Sequence, residues 1–383
     1  MAPPDPVRLT RDLVRCPSVT PEEAGTLAIL ERVLGEMGFV CHRLRFGEGD
    51  EAVDNLYARL GEGRPLLAFA GHVDVVPPGD PSAWSVDPFA AEIRDGRLYG
   101  RGAADMKSGI AAFVAAVGRW LRGGARPRGA IALLITADEE GAAVNGTRRL
   151  LEWAAARGER LDACLVGEPT SVEEVGDLAK IGRRGSLTGR LVVHGRAGHV
   201  AYPQRADNAA HRLVAMLRHL VAEPLDGGSA HFEPSSLQVT TIDVGNPASN
   251  VIPGRAEAVF NVRFNDRHDR AGLERLLRRR LDACGGRYEL ETSCSGEAFL
   301  TPPGPLSEIL CEAVAEVRGR PPRLDTSGGT SDARFIRRYC PVVELGIVGR
   351  TMHQADEAVK VDDIERLTRI YLAFVERFFL RWT

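Results

Sequence analysis

Short apolar segments alternate with amphipathic segments along the first part of the chain. Apolar runs predict buried strands at 66–70, 130–136 and 163–166. Between these runs, apolar residues recur every three or four positions, which predicts helices near 107–121 and 146–157. Strands and helices that alternate in this way are typical of an α/β domain with a mainly parallel sheet and helices on both faces.

A helix-start signal lies upstream of the first of these strands. Thr20 is a suitable N-cap, Pro21 occupies the first helical position, and Glu23 supplies an acid three residues after the cap. This pattern predicts a helix that runs from Thr20 to about Met37.

The pattern changes from about Ser186 onwards, where predicted elements follow in the order β-α-β-β-α-β. This order is typical of a ferredoxin-like α+β unit. Signals of the α/β kind resume near the C-terminus, so we expect the ferredoxin-like unit to be an inserted domain at 185–297, between the two parts of the α/β domain at 1–184 and 298–383. The predicted elements of this half of the chain lie at 186–194, 207–222, 236–244, 257–264, 269–284, 287–292, 342–345 and 362–379.

Apolar and polar residues alternate along the predicted strand at 257–264. The apolar residues occupy every second position from Ala258 to Phe264, which predicts that they face the core. Asn261 and Arg263 must then share the open face of the sheet.

Composition and charge exclude several classes of function. The 49 Lys and Arg residues are balanced by 52 Asp and Glu residues, so the chain lacks the basic surface that nucleic-acid-binding proteins need. The sequence MAPPDPVRLTRDLVR lacks the apolar core of a signal peptide, and the longest apolar run, near 110–117, is too short to span a bilayer. We therefore expect a cytoplasmic protein without nucleic-acid or membrane partners, which binds a small molecule or another copy of itself.

The cysteines and histidines indicate which side chains can bind a metal ion. Seven cysteines are scattered without a C-x-x-C pair, which predicts reduced thiols and leaves histidine and carboxylate as the candidate ligands. His72 follows the apolar strand, and Asp74 comes two residues later. On an extended chain these two side chains share a face, so Asp74 can hold a metal-binding imidazole from behind. A hydrogen-bonded loop pair without metal is the alternative interpretation.

Carboxylates and a second histidine recur beyond the predicted strands, and the carboxyl ends of parallel strands meet at one edge of a sheet. Two histidines and three carboxylates can hold two divalent ions if one carboxylate bridges them. Neighbouring residues point in different directions, so Glu140 can bind metal while Glu139 faces a water molecule as a base. Such a centre predicts amide hydrolysis, whereas a solvated acidic loop is the alternative for this pair. The candidates are His72, Asp105, Asp138, Glu139, Glu140, Glu168 and His353.

Five ordered motifs resemble those of a known family. GHVDVVPPGD, YGRGAADMKSG, TADEEG, VGEP and MHQADE are similar to motifs of the dinuclear zinc deacylase and carboxypeptidase family, which includes acetylornithine deacetylase and succinyl-diaminopimelate desuccinylase. The resemblance implies a zinc-peptidase-like catalytic domain that holds two Zn²⁺ per chain, with Co²⁺ as a substitute, and an inserted domain that forms a homodimer. It also implies His72 and Glu168 on one ion, Glu140 and His353 on the other, Asp105 between them, Asp74 behind His72 and Glu139 as the catalytic base.

Three further segments, KIGRRGS, GHVAYP and TSGGTSDARF, look most like the desuccinylase members of this family. Their substrate carries carboxylates, which arginine side chains and a backbone nest can bind. Gly349 stands where those members have asparagine, so that contact is lost or is supplied by Arg350. A deacylase of another N-acyl amino acid, such as acetylornithine, and a related metallocarboxypeptidase therefore stay open. The implied substrate-binding residues are Arg183, Ser186, Tyr202, Asn250, Arg263, Gly329, Thr330 and Arg334.

The resemblance also gives a role to His199, which follows the first strand of the inserted domain. It implies that His199 reaches the active site of the partner chain and donates a hydrogen bond to the oxyanion formed during amide hydrolysis. From the residues alone, a solvent-facing loop histidine is the alternative.

Two other classes of function compete with hydrolysis. A non-catalytic binding protein has no use for a base such as Glu139 beside metal ligands. A nucleotide-binding oxidoreductase is suggested only by the glycines around Gly100 and Gly102, which lack the G-x-G-x-x-G order. The loop at 84–89 and a predicted hairpin at 95–96 either shape the entrance of the site or are purely structural.

Overall fold

The computed structural model describes residues 2–382, which divide into two compact units. The first unit contains residues 2–181, Thr301–Asp325 and 331–382, and the second contains Gly182–Leu300 and Thr326–Thr330. The helices are α1 (Pro6–Val14), α2 (Thr26–Glu36), α3 (Ser108–Arg122), α4 (Thr147–Ala156), α5 (Ala209–Val221), α6 (Arg270–Asp282), α7 (Pro305–Arg318), α8 (Ala333–Ile336) and α9 (Val361–Arg381).

The strands of the first unit form one large mixed sheet and a small one. The large sheet has the order β1-β2-β6-β3-β7-β18-β8-β17, and the small sheet has the order β19-β5-β4. These strands are β1 (Val40–Phe46), β2 (Val53–Gly61), β3 (Leu66–His72), β4 (Glu92–Arg94), β5 (Arg97–Tyr99), β6 (Ala130–Thr136), β7 (Ala163–Val166), β8 (Leu178–Lys180), β17 (Arg323–Asp325), β18 (Val342–Glu344) and β19 (Ala358–Lys360).

The centre of the large sheet confirms the predicted α/β class. Every residue of β3, β6 and β7 is buried, because these apolar strands lie between helices of the same unit. Strand β3 pairs in parallel with both β6 and β7, and β18 extends the parallel set. Antiparallel pairing is found toward the edges, for example between β1 and β2.

The predicted start of α2 is wrong. The helix begins at Thr26, not at Thr20. The Thr20 N–H donates to the carbonyl oxygen of Val75 at 3.0 Å, which holds this stretch in a loop. The Glu23 carboxylate caps the helix from outside by accepting the N–H of Leu27 at 3.0 Å. A tertiary contact therefore replaced the local capping pattern.

The second unit has the ferredoxin-like arrangement that the order of elements predicts. Its main sheet has the order β12-β14-β10-β15 and is antiparallel throughout, and α5 and α6 pack on a core that contains Leu213, Phe260 and Leu277. The strands of this unit are β9 (Gly182–Arg183), β10 (Gly185–His194), β11 (Gly198–His199), β12 (Ser236–Asp243), β13 (Val251–Ile252), β14 (Arg255–Phe264), β15 (Arg287–Gly296) and β16 (Phe299–Leu300).

The alternation along β14 agrees with the two faces predicted for this strand. Its apolar residues from Ala256 to Phe264 are buried at every second position. Asn261 and Arg263 are only partly buried and share the opposite face. Because the strand has a side-chain period of two, one face covers the core and the other stays open.

Smaller features of the chain complete the fold. Strands β4 and β5 form the hairpin predicted at Asp95 and Gly96. All seven cysteines are free thiols, as the absence of a paired cysteine motif predicts. Within residues 2–382, no helix has both the length and the apolar character that crossing a membrane requires.

Candidate active site

The candidate site of the first unit lies where parallel strands end. Strand β3 ends at His72, which is in register with Thr136 at the end of β6. Glu139 and Glu140 follow β6, and Glu168 follows β7, the other parallel neighbour of β3. Because the carboxyl ends of these strands coincide, residues far apart in the sequence come together at one edge.

The turn that carries Asp105 depends on glycine. Gly102 has φ +84°, and a Cβ atom there would lie 2.5 Å from Cγ1 of Val75. At Gly100 a Cβ atom would lie 2.4 Å from Cγ1 of Val14. These glycines permit a close turn that directs the chain into α3, which accounts for the glycine-rich sequence without a bound nucleotide.

Asp105 lies between two histidines, with one carboxylate oxygen toward each. Its Oδ1 is 3.1 Å from Nε2 of His72, and its Oδ2 is 3.2 Å from Nε2 of His353. On the His72 side, Nε2 lies 3.8 Å from Oε1 of Glu168. On the other side, Nε2 of His353 lies 2.8 Å from Oε1 of Glu140. The five side chains thus form two donor groups that share Asp105.

The spacing of these atoms suits divalent metal ions. Ligand atoms at about 2.0–2.2 Å from one ion lie roughly 3–4 Å from one another, which is the range of the distances around Asp105. The described chain contains two sets of three candidate ligand atoms, and within each set the atoms lie within 4.8 Å of one another. One set comes from His72, Asp105 and Glu140, and the other comes from His72, Glu139 and Glu168.

The electrostatics of the cluster favour positive charge at the same place. Hydrogen bonds to Asp105 and Glu140 raise the pKa of His353 to about 10. Burial by itself lowers the pKa of His72, but its hydrogen bond to Asp105 and the surrounding carboxylates raise that pKa well above the ordinary value. Divalent ions supply the positive charge that these carboxylates attract, so the imidazole and carboxylate donors fit two such ions.

Asp74 lies on the Nδ1 side of His72 and contacts it chiefly through the main chain. Strand β3 ends at His72, so the alternation of side chains does not extend to Asp74. Nδ1 of His72 lies 2.9 Å from the main-chain oxygen of Asp74 and 3.6 Å from its Oδ1. A backbone carbonyl therefore orients the imidazole, and Nε2 is left to face Asp105.

The Asp74 carboxylate instead holds the turn after β6. It is fully buried and accepts the backbone N–H groups of Glu139 at 3.3 Å and Glu140 at 3.0 Å. Burial raises the pKa of Asp74 to about 6, although the charge of His72 and these hydrogen bonds act in the opposite direction. One carboxylate thus fixes the backbone of two candidate site residues.

Asp138 is a supporting residue whose role the sequence did not reveal. Its carboxylate accepts the backbone N–H groups of Ala143, Val144 and Asn145, each at 2.9 Å. This closes the loop that follows Glu140. A carboxylate next to candidate ligands was visible in the sequence, but only the fold shows that it faces the backbone.

Glu139 belongs to the same cluster as the ligands. Its carboxylate lies near His72 and Glu168, and burial followed by the charge of Glu168 raises its pKa well above the ordinary value. This position is within reach of the space between the donor groups. It is compatible with the predicted role as a base and with a role as an additional ligand, so the assignment stays a prediction.

Two candidate substrate-binding residues of the second unit, Ser186 and Arg263, are paired across its main sheet, and Ser186 is itself buried. Ser186 on β10 is directly opposite Arg263 on β14. Burial lowers the pKa of Arg263, and the positive charge of Arg184 lowers it further. Nη1 of Arg183 donates to the carbonyl oxygen of Gly329 at 3.2 Å. Closely spaced arginines of this kind favour an anion.

The remaining candidates of the second unit are more accessible. Nδ1 of His199, an exposed residue, accepts the backbone N–H of Ala201 at 3.1 Å. Tyr202 is 51% exposed, with its ring centroid 5.7 Å from that of His199. Asn250 is exposed and its carbonyl oxygen accepts the N–H of Val200, whereas Thr330 is half-buried. The structure therefore leaves these side chains open to other molecules.

Arg334 and the segment around Gly349 belong to the first unit. The guanidinium of Arg334 lies over the ring of Phe335, 4.6 Å from its centroid. A Cβ atom at Gly349 would lie 2.9 Å from the carbonyl oxygen of Pro169, so an asparagine there would require the backbone to shift. Arg350, the predicted substitute for that asparagine, forms an ion pair with Glu173.

Comparison with known proteins gives close relatives over the full length. Proteins of Rhodospirillum centenum and Rhodospirillum rubrum, both named succinyl-diaminopimelate desuccinylase, are 60% and 58% identical to the chain. Each comparison covers 98% of this chain and 98% of the relative. A protein of the same name from Parvibaculum lavamentivorans is 57% identical over 99% of this chain and 96% of its own.

Solved structures share the fold at lower identity. An M20 family metallo-carboxypeptidase from Sulfolobus solfataricus has a TM-score of 0.79 at 18% identity, over 98% of this chain and 99% of that one. A dinuclear metal binding peptidase of the M20 family from Bacillus subtilis has a TM-score of 0.70 at 17% identity, over 97% of both chains. The model of peptidase family M20/M25/M40 matches residues 68–377. With most of its length matched, the chain belongs to peptidase family M20/M25/M40.

Proposed function

We propose that this protein is a metal-dependent amide hydrolase that cleaves N-succinyl-LL-2,6-diaminopimelate to succinate and LL-2,6-diaminopimelate. This is a step of lysine and diaminopimelate biosynthesis, which fits a cytoplasmic location. The observation that carries the proposal is the position of Asp105, whose two oxygens face His72 and His353 separately. The names of the close relatives support the choice of substrate.

The proposed cofactors are two Zn²⁺ ions per chain, with Co²⁺ as a substitute. His72 and Glu168 would hold one ion, His353 and Glu140 the other, and Asp105 both. When bound, such ions lower the pKa of water and stabilise negative charge on the oxygen of an amide carbonyl. The imidazole and carboxylate donors at 2.8–3.8 Å from one another support this assignment.

Glu139 is proposed as the general base and acid of the reaction. Its carboxylate takes a proton from the attacking water and gives it to the amide nitrogen, which leaves as an amine. The backbone bonds from Glu139 and Glu140 to Asp74 keep this carboxylate next to the donor groups. Asp74 therefore acts as a positioning residue for the base as well as for His72.

The carboxylates of the substrate are proposed to bind to the arginines and to a backbone nest. Arg263 is supported by its lowered pKa, because a bound anion would offset the repulsion from Arg184. A carboxylate also suits the planar donor group of each arginine. The proposed substrate-binding residues are Arg183, Ser186, Tyr202, Asn250, Arg263, Gly329, Thr330 and Arg334.

The inserted domain, which we place at 185–297 between catalytic segments 1–184 and 298–383, is proposed to form a homodimer. Strand β12 is an edge of its sheet, and apolar side chains stay exposed on this strand and on α5. Open edges and apolar patches of this kind are typical of sites that pair with another chain. The exposed apolar residues of these elements are Val214, Val221 and Ile242.

His199 is proposed to serve the active site of the partner chain. Its Nδ1 accepts the N–H of Ala201, so the neutral imidazole carries its proton on Nε2. An exposed Nε2–H is a suitable hydrogen-bond donor to the oxyanion that forms when water attacks the amide.

Hydrolysis of another N-acyl amino acid is the second candidate. Gly349 lacks the side chain of the asparagine that desuccinylases have at this position, and Arg350, its predicted substitute, is paired with Glu173. The purified protein should be assayed with succinyl-diaminopimelate and with acetylornithine, together with its metal content. We expect two ions per chain and a clear preference for the succinylated substrate. Equal turnover of the two substrates would reject the specific assignment, and turnover without bound metal would reject the metal-dependent mechanism.

A further inference from the structure

A buried ion pair lies beside the candidate metal centre without contributing a ligand to it. Nη1 of Arg101 is 2.7 Å from Oε2 of Glu357, and the two side chains are 2% and 0% exposed. The other carboxylate oxygen, Oε1, accepts the backbone N–H groups of Ala104 at 2.8 Å and Asp105 at 3.1 Å. Glu357 therefore uses one oxygen to bind its cation and the other to hold the turn of the bridging residue.

The same ion pair also reaches the loop of the second histidine. Nη1 of Arg101 donates to the carbonyl oxygen of Gln354 at 3.1 Å, and Gln354 directly follows His353. His353 has φ +64°, a conformation that residues other than glycine rarely adopt. A strained backbone position persists where neighbouring contacts hold it. Arg101 supplies such a contact at the residue next to His353.

The arrangement repeats the contact made by Asp74 on the other side of the cluster. Asp74 accepts two consecutive N–H groups from the turn that contains Glu140, and Glu357 accepts two from the turn that contains Asp105. In each case a buried carboxylate fixes the backbone of a proposed ligand. Only Glu357 has a guanidinium as its partner, and that guanidinium binds a second loop.

An aromatic residue shields the pair from solvent. The ring of Trp84 lies over the guanidinium of Arg101 at 5.2 Å, and Nε1 of Trp84 donates to the carbonyl oxygen of Pro78 at 2.9 Å. Oδ1 of Asp356 accepts the N–H of Ser85 at 2.7 Å. The loop at 84–89 is thus fastened to the segment that contains Glu357, which gives a role to a motif that amide hydrolysis had not explained.

We propose that Arg101 and Glu357 are positioning residues of the metal centre, which fix the spacing between the bridging carboxylate of Asp105 and the imidazole of His353. The inference rests on the proposed function, because it requires Asp105 and His353 to bind metal. A buried ion pair is a poor source of stability compared with apolar packing. The three hydrogen bonds that the pair makes to two loops are better explained by a role in fixing the positions of those loops. Removing the pair should therefore weaken metal binding even in a folded chain.

The test measures metal binding, not activity. Wild type and the variants Glu357→Ala, Glu357→Gln and Arg101→Lys are freed of metal with a chelator and titrated with Zn²⁺ by calorimetry. The absorption spectrum of the Co²⁺ form reports the coordination geometry. We expect Glu357→Ala to lose about 10–100-fold in affinity for at least one ion, as is usual for residues that support ligands. Glu357→Gln should lose less, because its carbonyl oxygen can still accept the two N–H groups.

The matched control is Glu365→Gln. Glu365 pairs with Arg119 between α9 and α3 at 2.5 and 2.7 Å, so this variant also removes the charge of a carboxylate in an ion pair of the first unit. This variant should keep the wild-type Zn²⁺ affinity at both ion sites and the wild-type Co²⁺ spectrum. A residue with a purely structural role would lower the unfolding temperature of the metal-free protein and leave the spectrum unchanged.

The outcomes separate this inference from the proposed function. Wild-type affinities and spectra in Glu357→Ala would overturn the positioning role, while the metal site itself would stand. If Glu357→Ala does not fold, wild-type metal affinities in both Glu357→Gln and Arg101→Lys would overturn the positioning role instead. A wild-type chain that binds fewer than two ions would overturn the dinuclear centre and the positioning role with it.

Discussion

The first unit buries most of its candidate metal ligands, with His353 half-exposed, whereas the second unit leaves many of its candidate residues open. His72 is 1% exposed, Asp105 7% and Glu168 9%, and all three contact one another or a shared neighbour. Tyr202 by contrast is 51% exposed, and His199 accepts only a local N–H through Nδ1. A metal site requires donors that are fixed before the ion arrives, while residues that bind a substrate or a partner chain must remain accessible.

Glu139→Ala is expected to produce the largest change in rate. Loss of a general base lowers turnover by about 10²–10⁴-fold, whereas metal content should stay at the wild-type value because the base acts on water. Steady-state kinetics and metal analysis of the same preparation test this. Glu152→Ala, which removes a surface glutamate on α4, is the control and should behave as the wild type. Loss of metal with an unchanged rate per bound ion would show that Glu139 is a ligand and not the base.

His72→Ala and His353→Ala should each affect one of the two proposed metal ions. Both variants should bind fewer ions per chain than the wild type, because each removes a direct ligand of one ion. The loss should be greater for His72, because its removal leaves buried Asp105 and Glu168 without an imidazole between them. His353 is half-exposed, so water can replace it. Metal analysis after dialysis is the measurement, and two ions per chain in either variant would refute the ligand assignment.

Much of the first unit could be predicted because local pattern and parallel pairing agree there. The apolar runs at β3, β6 and β7 predicted buried strands, and acids at their ends had to meet once the strands were parallel. Strand β1 was not predicted, because VCHRLRF mixes charged and apolar residues and lies at an edge with most side chains open. The early start of α2 was wrong because a bond to Val75 holds Thr20 in a loop.

The site was predictable at the level of residue types and less so at the level of contacts. Motif order indicated the ligands, but the carboxylate of Asp74 faces two backbone N–H groups, which depends on where β3 ends. Arg101 and Glu357 are separated by 256 positions, and nothing local in the sequence shows that they pair. In the second unit, alternation predicted the open face of β14, whereas the molecules that contact this face lie outside the chain.

His199→Ala tests whether the open residues of the second unit act across a dimer. Loss of a donor to the oxyanion should lower turnover by roughly a hundredfold, or about 3 kcal/mol of barrier, without loss of metal. When His199→Ala is mixed with Glu139→Ala, heterodimers should regain activity, because one of their two sites holds both wild-type residues. Subunit exchange is verified with differently tagged chains. A mixture that exchanges subunits but stays inactive would show that His199 serves its own chain or has no catalytic role.

Asp226→Asn should give the smallest effect, because this partly buried carboxylate of the second unit supports structure and not metal. Burial alone raises the pKa of Asp226, but its hydrogen bonds with Ser235, Gly228 and Asn265 lower it to about 2, below the value of an unfolded aspartate. The charged form therefore stabilises the fold above about pH 4, by about 2 kcal/mol, and this contribution is lost as the pH falls toward 2.

Chemical unfolding of Asp226→Asn and wild type at a series of pH values measures this difference in free energy of unfolding. The difference should be present at pH 7, shrink between about pH 4 and 2, and stay the same after treatment with a chelator. Asp243→Asn, at an exposed position of β12, is the control and should match the wild type throughout. A difference that depends on the chelator would mean that the carboxylates of the second unit also respond to metal, and the contrast between the two units would then fail.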